Sequence, residues 1–258
     1  MRDNPHINEW LKAFRSINAQ YDPSTLFRDW CECYALAIAN GVTLKDSPLW
    51  AKRENSYLDI IKKYDAQAQA SFPEMCAHLT LAFELDPFDD YLGSLYMELF
   101  GGGIKKKKLG QCFTPMDVCR ACAEMAVEPK EGELQTIADE CSGGAALLIA
   151  ACEVYHKRGI DYQRWLKITA GDLDALCVHM SYIQLSLIGA RADVYHRDAI
   201  TRQCFDVFHT PMQMLWPLKL ESYPLVGTHT DTPNDGVLDE SKKLDTSTHE
   251  AKQLTLGF

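Results

Sequence analysis

Long apolar runs are what this 258-residue chain most clearly lacks. None approaches the ~20 residues needed to cross a bilayer, which excludes a helical membrane span. The opening Met1-Arg2-Asp3-Asn4-Pro5-His6 is polar and lacks the apolar segment of a signal peptide, so the expected location is the cytoplasm. An excess of positive charge is missing too. The 26 Lys and Arg face 36 Asp and Glu, and a net charge of -10 is a poor balance for a stand-alone nucleic-acid binder. Metal-ligand spacing is absent as well. The ten cysteines are scattered, and the one C-x-x-C, Cys119 to Cys122, has no second Cys or His pair at zinc spacing, so no metal is expected. Cys31, Cys33, Cys76, Cys152 and Cys177 fall in apolar helical runs and read as buried thiols.

What remains is the composition of a water-soluble globular protein, 47% apolar and 24% charged, long enough for one or two domains. Residues 1–100 read as a helical region. Apolar residues recur at helical spacing over Ile7 to Ile17, Thr25 to Asn40, Ser47 to Ala70 and Phe72 to Glu84. Residues 101–227 read as an α/β domain. Residues 228–258 are acidic, with little apolar content before Leu254, and are expected to be disordered. Between the first two lies Gly101-Gly102-Gly103-Ile104 followed by Lys105, Lys106, Lys107 and Lys108. That local positive patch suits DNA phosphates, although most short lysine runs are simply solvated surface.

The α/β domain carries the most informative segment, Asp139 to Ile149. An acid closes a short strand, Gly143 and Gly144 allow a sharp turn close to a ligand, and an apolar helix begins whose first N–H groups face the turn. The turn is too short for the full dinucleotide fingerprint and lacks the lysine of a P-loop. Ile168 to Asp174 reads as a second strand ending in acids, and Ala192 to Asp198 as a third. Phe205 to Phe208 reads as a fourth strand, running into His209-Thr210-Pro211-Met212. A further strand is expected near Tyr223 to Val226. Carboxylates at successive strand ends line the crevice where open α/β sheets bind ligands. Taken singly, each is as well explained as a strand-end acid or a helix N-cap.

In this order the residues resemble the N6-adenine DNA methyltransferases related to the modification subunit of type I restriction enzymes. The resemblance runs from Asp86 to Met214. Gly110 to Pro115 resembles the family's G-Q-F/Y-F/Y-T-P, with Cys112 at an aromatic position. Asp139 to Ile149 resembles its E/D-P-x-C-G-x-G-G turn, with Glu140 for the proline and Ala145 and Ala146 for glycines. Asp172 and Asp174 stand at its D-x-D strand end and Asp198 at the next acid. Asp86 to Met97 and Leu176 to Gly189 are also family-like.

The resemblance implies a Rossmann-like methyltransferase domain with a short sheet, and S-adenosylmethionine as cofactor. In it Phe113, Thr114 and Pro115 would cover the methionine moiety, with Cys141 and Gly143 in the turn. Asp139 would face the cationic tail, Asp172 or Asp174 the ribose hydroxyls, and Asp198 the adenine amino group. The catalytic N-P-P-F/Y is replaced by His209, Thr210 and Pro211, with no Asn and no aromatic directly following. The expected activity is adenine-N6 DNA methylation in a restriction-modification setting, with a separate specificity or restriction subunit as partner. The alternative is an inactive relative that binds DNA or such a complex.

Overall fold

The computed structural model describes residues 4–101, 113–222 and 253–255. The lysine patch 105–108, the segment Gly110 to Cys112, the strand expected at Tyr223 to Val226 and residues 228–252 of the acidic tail lie outside them.

Five helices come first: α1 (Pro5–Ile17), α2 (Pro23–Gly41), α3 (Pro48–Ile61), α4 (Ala66–Leu85) and α5 (Tyr91–Phe100). The sequence dictates where they begin. Asn4, Asp22 and Ser47 each accept a backbone N–H in the first turn, and a proline follows each at the start of the helix, where a missing N–H costs nothing. The periodicity places the break between the third and fourth helices near Ser71. It falls instead at Lys62 to Asp65, because Asp65 caps α4 through the Ala68 N–H, and the helix runs on through Pro73. Tyr64, in that break, is buried with its hydroxyl donating to Asp29 at 2.9 Å. Trp10, Phe14, Phe27 and Trp30 are fully buried against one another, with Trp10 and Trp30 centroids 5.1 Å apart. Side chains of this size each contribute roughly 1.5–3 kcal/mol by burial, so Trp10 and Trp30 are core residues.

The remaining described residues build one open sheet with its flanking helices. Its elements are α6 (Met116–Ala126), β1 (Gln135–Asp139), α7 (Ala146–Lys157), the short α8 (Tyr162–Trp165), β2 (Leu166–Asp172), α9 (Ala175–Leu187), β3 (Ala192–Arg197), β4 (Cys204–His209), α10 (Pro211–Ser222) and β5 (Gln253–Thr255). The strand order is β4-β3-β2-β1-β5. β1, β2, β3 and β5 run parallel, whereas β4 is antiparallel to β3. The mixed α/β architecture is compatible with a methyltransferase fold. Gln253–Thr255 falls in the stretch read as a tail and pairs with Thr136 to Ala138 instead.

The direction of β4 departs from expectation, and the reason is chain length. Only residues 198–203 separate β3 from β4. A parallel return needs a crossover of a dozen residues or more, so a connection this short makes a hairpin.

The helical region and the sheet share one contiguous apolar cluster, from Ile7 through Phe208. Arg53, on α3, is buried at this seam. Its guanidinium donates to the Val207 carbonyl at 3.1 Å and lies 5.0 Å above the Phe208 ring. Among the described residues no helix is long and apolar enough to cross a membrane.

Candidate cofactor site at the carboxyl edge of the sheet

Parallel pairing brings the ends of β1 and β2 together, with Asp139 opposite Ala170 and Asp172 opposite His196 of β3. The β1–α7 turn then folds back over the end of β2. Ser142 N–H donates to the Gly171 carbonyl at 3.0 Å, and Gly143 N–H donates to Asp172 Oδ2 at 3.1 Å. Asp172 Oδ1 accepts the Asp174 N–H at 2.9 Å. One carboxylate therefore ties the turn to the strand end.

Two residues of the turn are left-handed. Gly143 has φ 54°, and a Cβ there would come within 3.1 Å of the Phe113 ring, so the position demands glycine on both counts. Ala145, at the N-cap of α7, has φ 71° and offers no side-chain cap. For alanine that conformation costs about 1–2 kcal/mol. Gly144 is excluded from larger residues by contact alone, because a Cβ would lie 2.7 Å from Asp90 Oδ1.

Two residues that hold the turn, Asp90 and Gln184, were not singled out by the sequence. Asp90 is 3% exposed, caps α5 through the Gly93 N–H and accepts from Gln184 Nε2 at 2.8 Å. Gln184 also donates to the Gly144 carbonyl and accepts the Leu92 N–H at 3.0 Å. Ser181 donates to the Gly143 carbonyl at 2.8 Å. The turn is thus held from α5 and α9. The only signal for this lay in the two family-like runs, Asp86 to Met97 and Leu176 to Gly189. Burial raises the Asp90 carboxyl above its ordinary range, against the lowering effect of the Gln184 and Gly93 donors.

The edge is electronegative. Asp139 is raised first by burial, then by the neighbouring Asp172 and Glu140, while the Cys141 N–H, 3.0 Å from Oδ1, pulls the other way. Among the described residues neither Asp139 nor Asp172 forms a salt bridge. Glu140 does: Arg197 at the end of β3 holds both its oxygens through Nε and Nη2, over Gly171, where a Cβ would lie 2.9 Å from Glu140 Oε2. Asp139 and Asp172 therefore present negative charge that a cationic, hydroxyl-bearing ligand would satisfy.

The other sequence candidates are sorted by their partners. Asp174 is the N-cap of α9 rather than a strand end, accepting the Leu176 N–H at 2.9 Å and Arg28 Nη1 at 3.0 Å. Asp198 lies in the β3–β4 turn, where its carboxylate accepts the Ile200 and Thr201 N–H groups and is held below the usual carboxylate range by them. Phe113 covers Gly143 and packs edge-on to Tyr96, with centroids 5.3 Å apart. Thr114 is exposed, its carbonyl 3.8 Å from the Cys119 thiol, and Pro115 starts α6. Cys141 is exposed in the turn.

His209, Thr210 and Pro211 are not brought to this edge. Because β4 is antiparallel, His209 pairs with Asp193 near the start of β3, four residues before Arg197 and about 13 Å away along the strand. His209 Nδ1 lies 2.6 Å from Asp193 Oδ1, and Lys167 pairs with the same carboxylate at 3.2 Å. Thr210 is fully buried, its hydroxyl donating to the Ala190 carbonyl at 2.7 Å and accepting the Ala192 N–H. Thr210 therefore has a structural role, and His209, Thr210 and Pro211 stand apart from the acids of the carboxyl edge.

An open α/β sheet with a glycine turn and acids at its carboxyl edge is compatible with the methyltransferase class of fold. The particular family comes from comparison: residues 88–214 match the model of the N-6 DNA methylase family, which supports an N6-adenine DNA methyltransferase family for this part of the chain. No curated protein and no solved structure gives a match.

Proposed function

We propose that the chain is an S-adenosylmethionine-dependent DNA methyltransferase acting on adenine N6, with its cofactor at the ends of β1 and β2. Members of the matched family use this cofactor. The observation that carries the reading is the Asp172 carboxylate. It is anchored by the Gly143 and Asp174 N–H groups and retains further lone pairs for a ribose diol. Asp172 is preferred over Asp174, whose carboxylate is engaged by Arg28 and Leu176. Asp139, without a salt bridge among the described residues, attracts the cationic methionine end. Leu173 and Ile200, 62% and 94% exposed beside the ends of β2 and β3, offer apolar surface to an adenine ring. When bound, the cofactor supplies an electrophilic methyl group.

Restriction-modification service, a specificity or restriction subunit, DNA contact through Lys105 to Lys108 and a cytoplasmic setting belong to this same proposal. A second reading, binding without methyl transfer, is favoured by one observation: His209, Thr210 and Pro211 sit on the opposite sheet edge.

Incubation of the protein with deuteromethyl-labelled S-adenosylmethionine and unmethylated DNA, followed by mass spectrometry of nucleosides, separates the two. Labelled N6-methyladenine that disappears with Asp172→Ala supports the enzyme. Cofactor binding without labelled adenine supports the second reading.

A further inference from the structure

The cofactor turn is connected to the helical region by an unbroken line of hydrogen bonds. Arg28 lies on α2 between the buried side chains of Leu26, Phe27 and Trp30, so its backbone is fixed in the aromatic core. Its Nη1 donates to Asp174 Oδ1 at 3.0 Å. That same oxygen accepts the Leu176 N–H at 2.9 Å, which fixes Asp174 as the first residue of the α9 cap. The Asp174 N–H donates to Asp172 Oδ1 at 2.9 Å, and Asp172 Oδ2 accepts the Gly143 N–H at 3.1 Å. The four groups alternate donor and acceptor, and the two carboxylates are the hinges of the line. Releasing Arg28 removes from Asp174 the donor that reaches it from the helical region and loosens what lies beyond it.

We propose that Arg28 is a positioning residue of the cofactor turn, through which the helical region sets the affinity of the β1–β2 edge for a ligand carrying adjacent ribose hydroxyls. The ligand part of this inference rests on the function proposed above, whereas the positioning part does not. Arg28 touches no ligand atom in this scheme. It acts through Asp174 and Asp172. A guanidinium is suited to the task because it holds a carboxylate in a fixed orientation while the carboxylate accepts a second donor. An exposed pair elsewhere on the helical region, Arg15 with Glu98 at 3.2 Å, has no such line behind it and serves as the control.

The test is amide hydrogen exchange, read by mass spectrometry on the full chain, for wild type, Arg28→Ala, Arg28→Lys and Arg15→Ala. In Arg28→Ala, exchange in residues 139–147 and 172–176 should rise about tenfold, with the α1 and α4 helices unchanged. Arg28→Lys should restore most of the protection, and Arg15→Ala should match wild type. Arg28→Ala in an Asp174→Ala background should add little, since the acceptor of Arg28 is already gone. Unchanged exchange at 139–147 overturns the proposal, and so does faster exchange spread over the whole chain, which would mean general destabilisation.

S-adenosylmethionine titration of the same variants adds the ligand arm. Arg28→Ala should bind about tenfold more weakly than wild type, and Arg15→Ala equally well. Equal affinity in Arg28→Ala overturns the coupling to ligand. Failure of the wild type to bind contradicts the proposed function instead, and the exchange data still decide whether Arg28 positions the turn.

Discussion

Replacing Asp172 by asparagine changes one oxygen for an amide and leaves the shape of the side chain intact. In the native protein the two carboxylate oxygens accept separate backbone donors, Gly143 N–H at 3.1 Å and Asp174 N–H at 2.9 Å. Asparagine can serve only one of them. The other N–H then faces an NH₂ group and turns to water, because the site is half-buried. A hydrogen bond to a charged acceptor contributes about 1.5–3 kcal/mol, and partial hydration returns some of that, so the expected loss of stability is about 1–2 kcal/mol. The effect on cofactor binding should be larger in proportion, because the charge that would accept a ribose diol is removed. A loss of about 1.5–3 kcal/mol corresponds to roughly ten- to a hundredfold in affinity. Urea unfolding measures the first number and calorimetric titration of S-adenosylmethionine the second, at a temperature where both proteins are folded. Asp172→Ala should be worse on both counts. An asparagine variant that binds the cofactor within twofold of wild type would refute the assignment, whatever its stability.

Other outcomes follow from particular contacts. His179 is buried edge-on against Phe208, its Nδ1 without a partner, and burial, followed by His196, pushes its pKa down to about 4. The unfolded chain takes up this proton first, so stability should fall as pH drops from the ordinary histidine value toward 4, by at most ~3 kcal/mol. Urea midpoints against pH should flatten in His179→Phe, and an unchanged acid limb would contradict the account. Gly144→Ala puts a Cβ 2.7 Å from Asp90 Oδ1 and should lower stability by about 1–3 kcal/mol in thermal unfolding. Alkylation of Cys141, exposed in the turn, should slow with S-adenosylmethionine, while Cys204, exposed on β4, should react as before. Equal rates with and without the cofactor at Cys141 would place the ligand elsewhere.

Three of the four parallel strands, β1 to β3, were legible because each is a short apolar run followed by an acid, and Gly143 was legible because only glycine suits that turn. Asp174 was misplaced by two residues: an acid after a strand and an acid before a helix look alike until the Leu176 N–H is seen to donate to it. Ala145 carried no signal of its left-handed backbone, although the glycine usual there in the resembling family had the cause that the structure shows. Asp90 and Gln184 meet from positions 94 residues apart, and periodicity says nothing of such pairs. The direction of β4 could have been read. Six residues between two strands permit a hairpin and not a crossover, and that arithmetic separates His209 to Pro211 from the acids.

The most direct test of the account is a hydrogen-exchange footprint of S-adenosylmethionine on the wild-type protein. Protection is expected over residues 139–147 and 171–176, with none over 206–213. Protection centred on His209 to Pro211, or none anywhere at saturating cofactor, would contradict the placement of the site at the ends of β1 and β2.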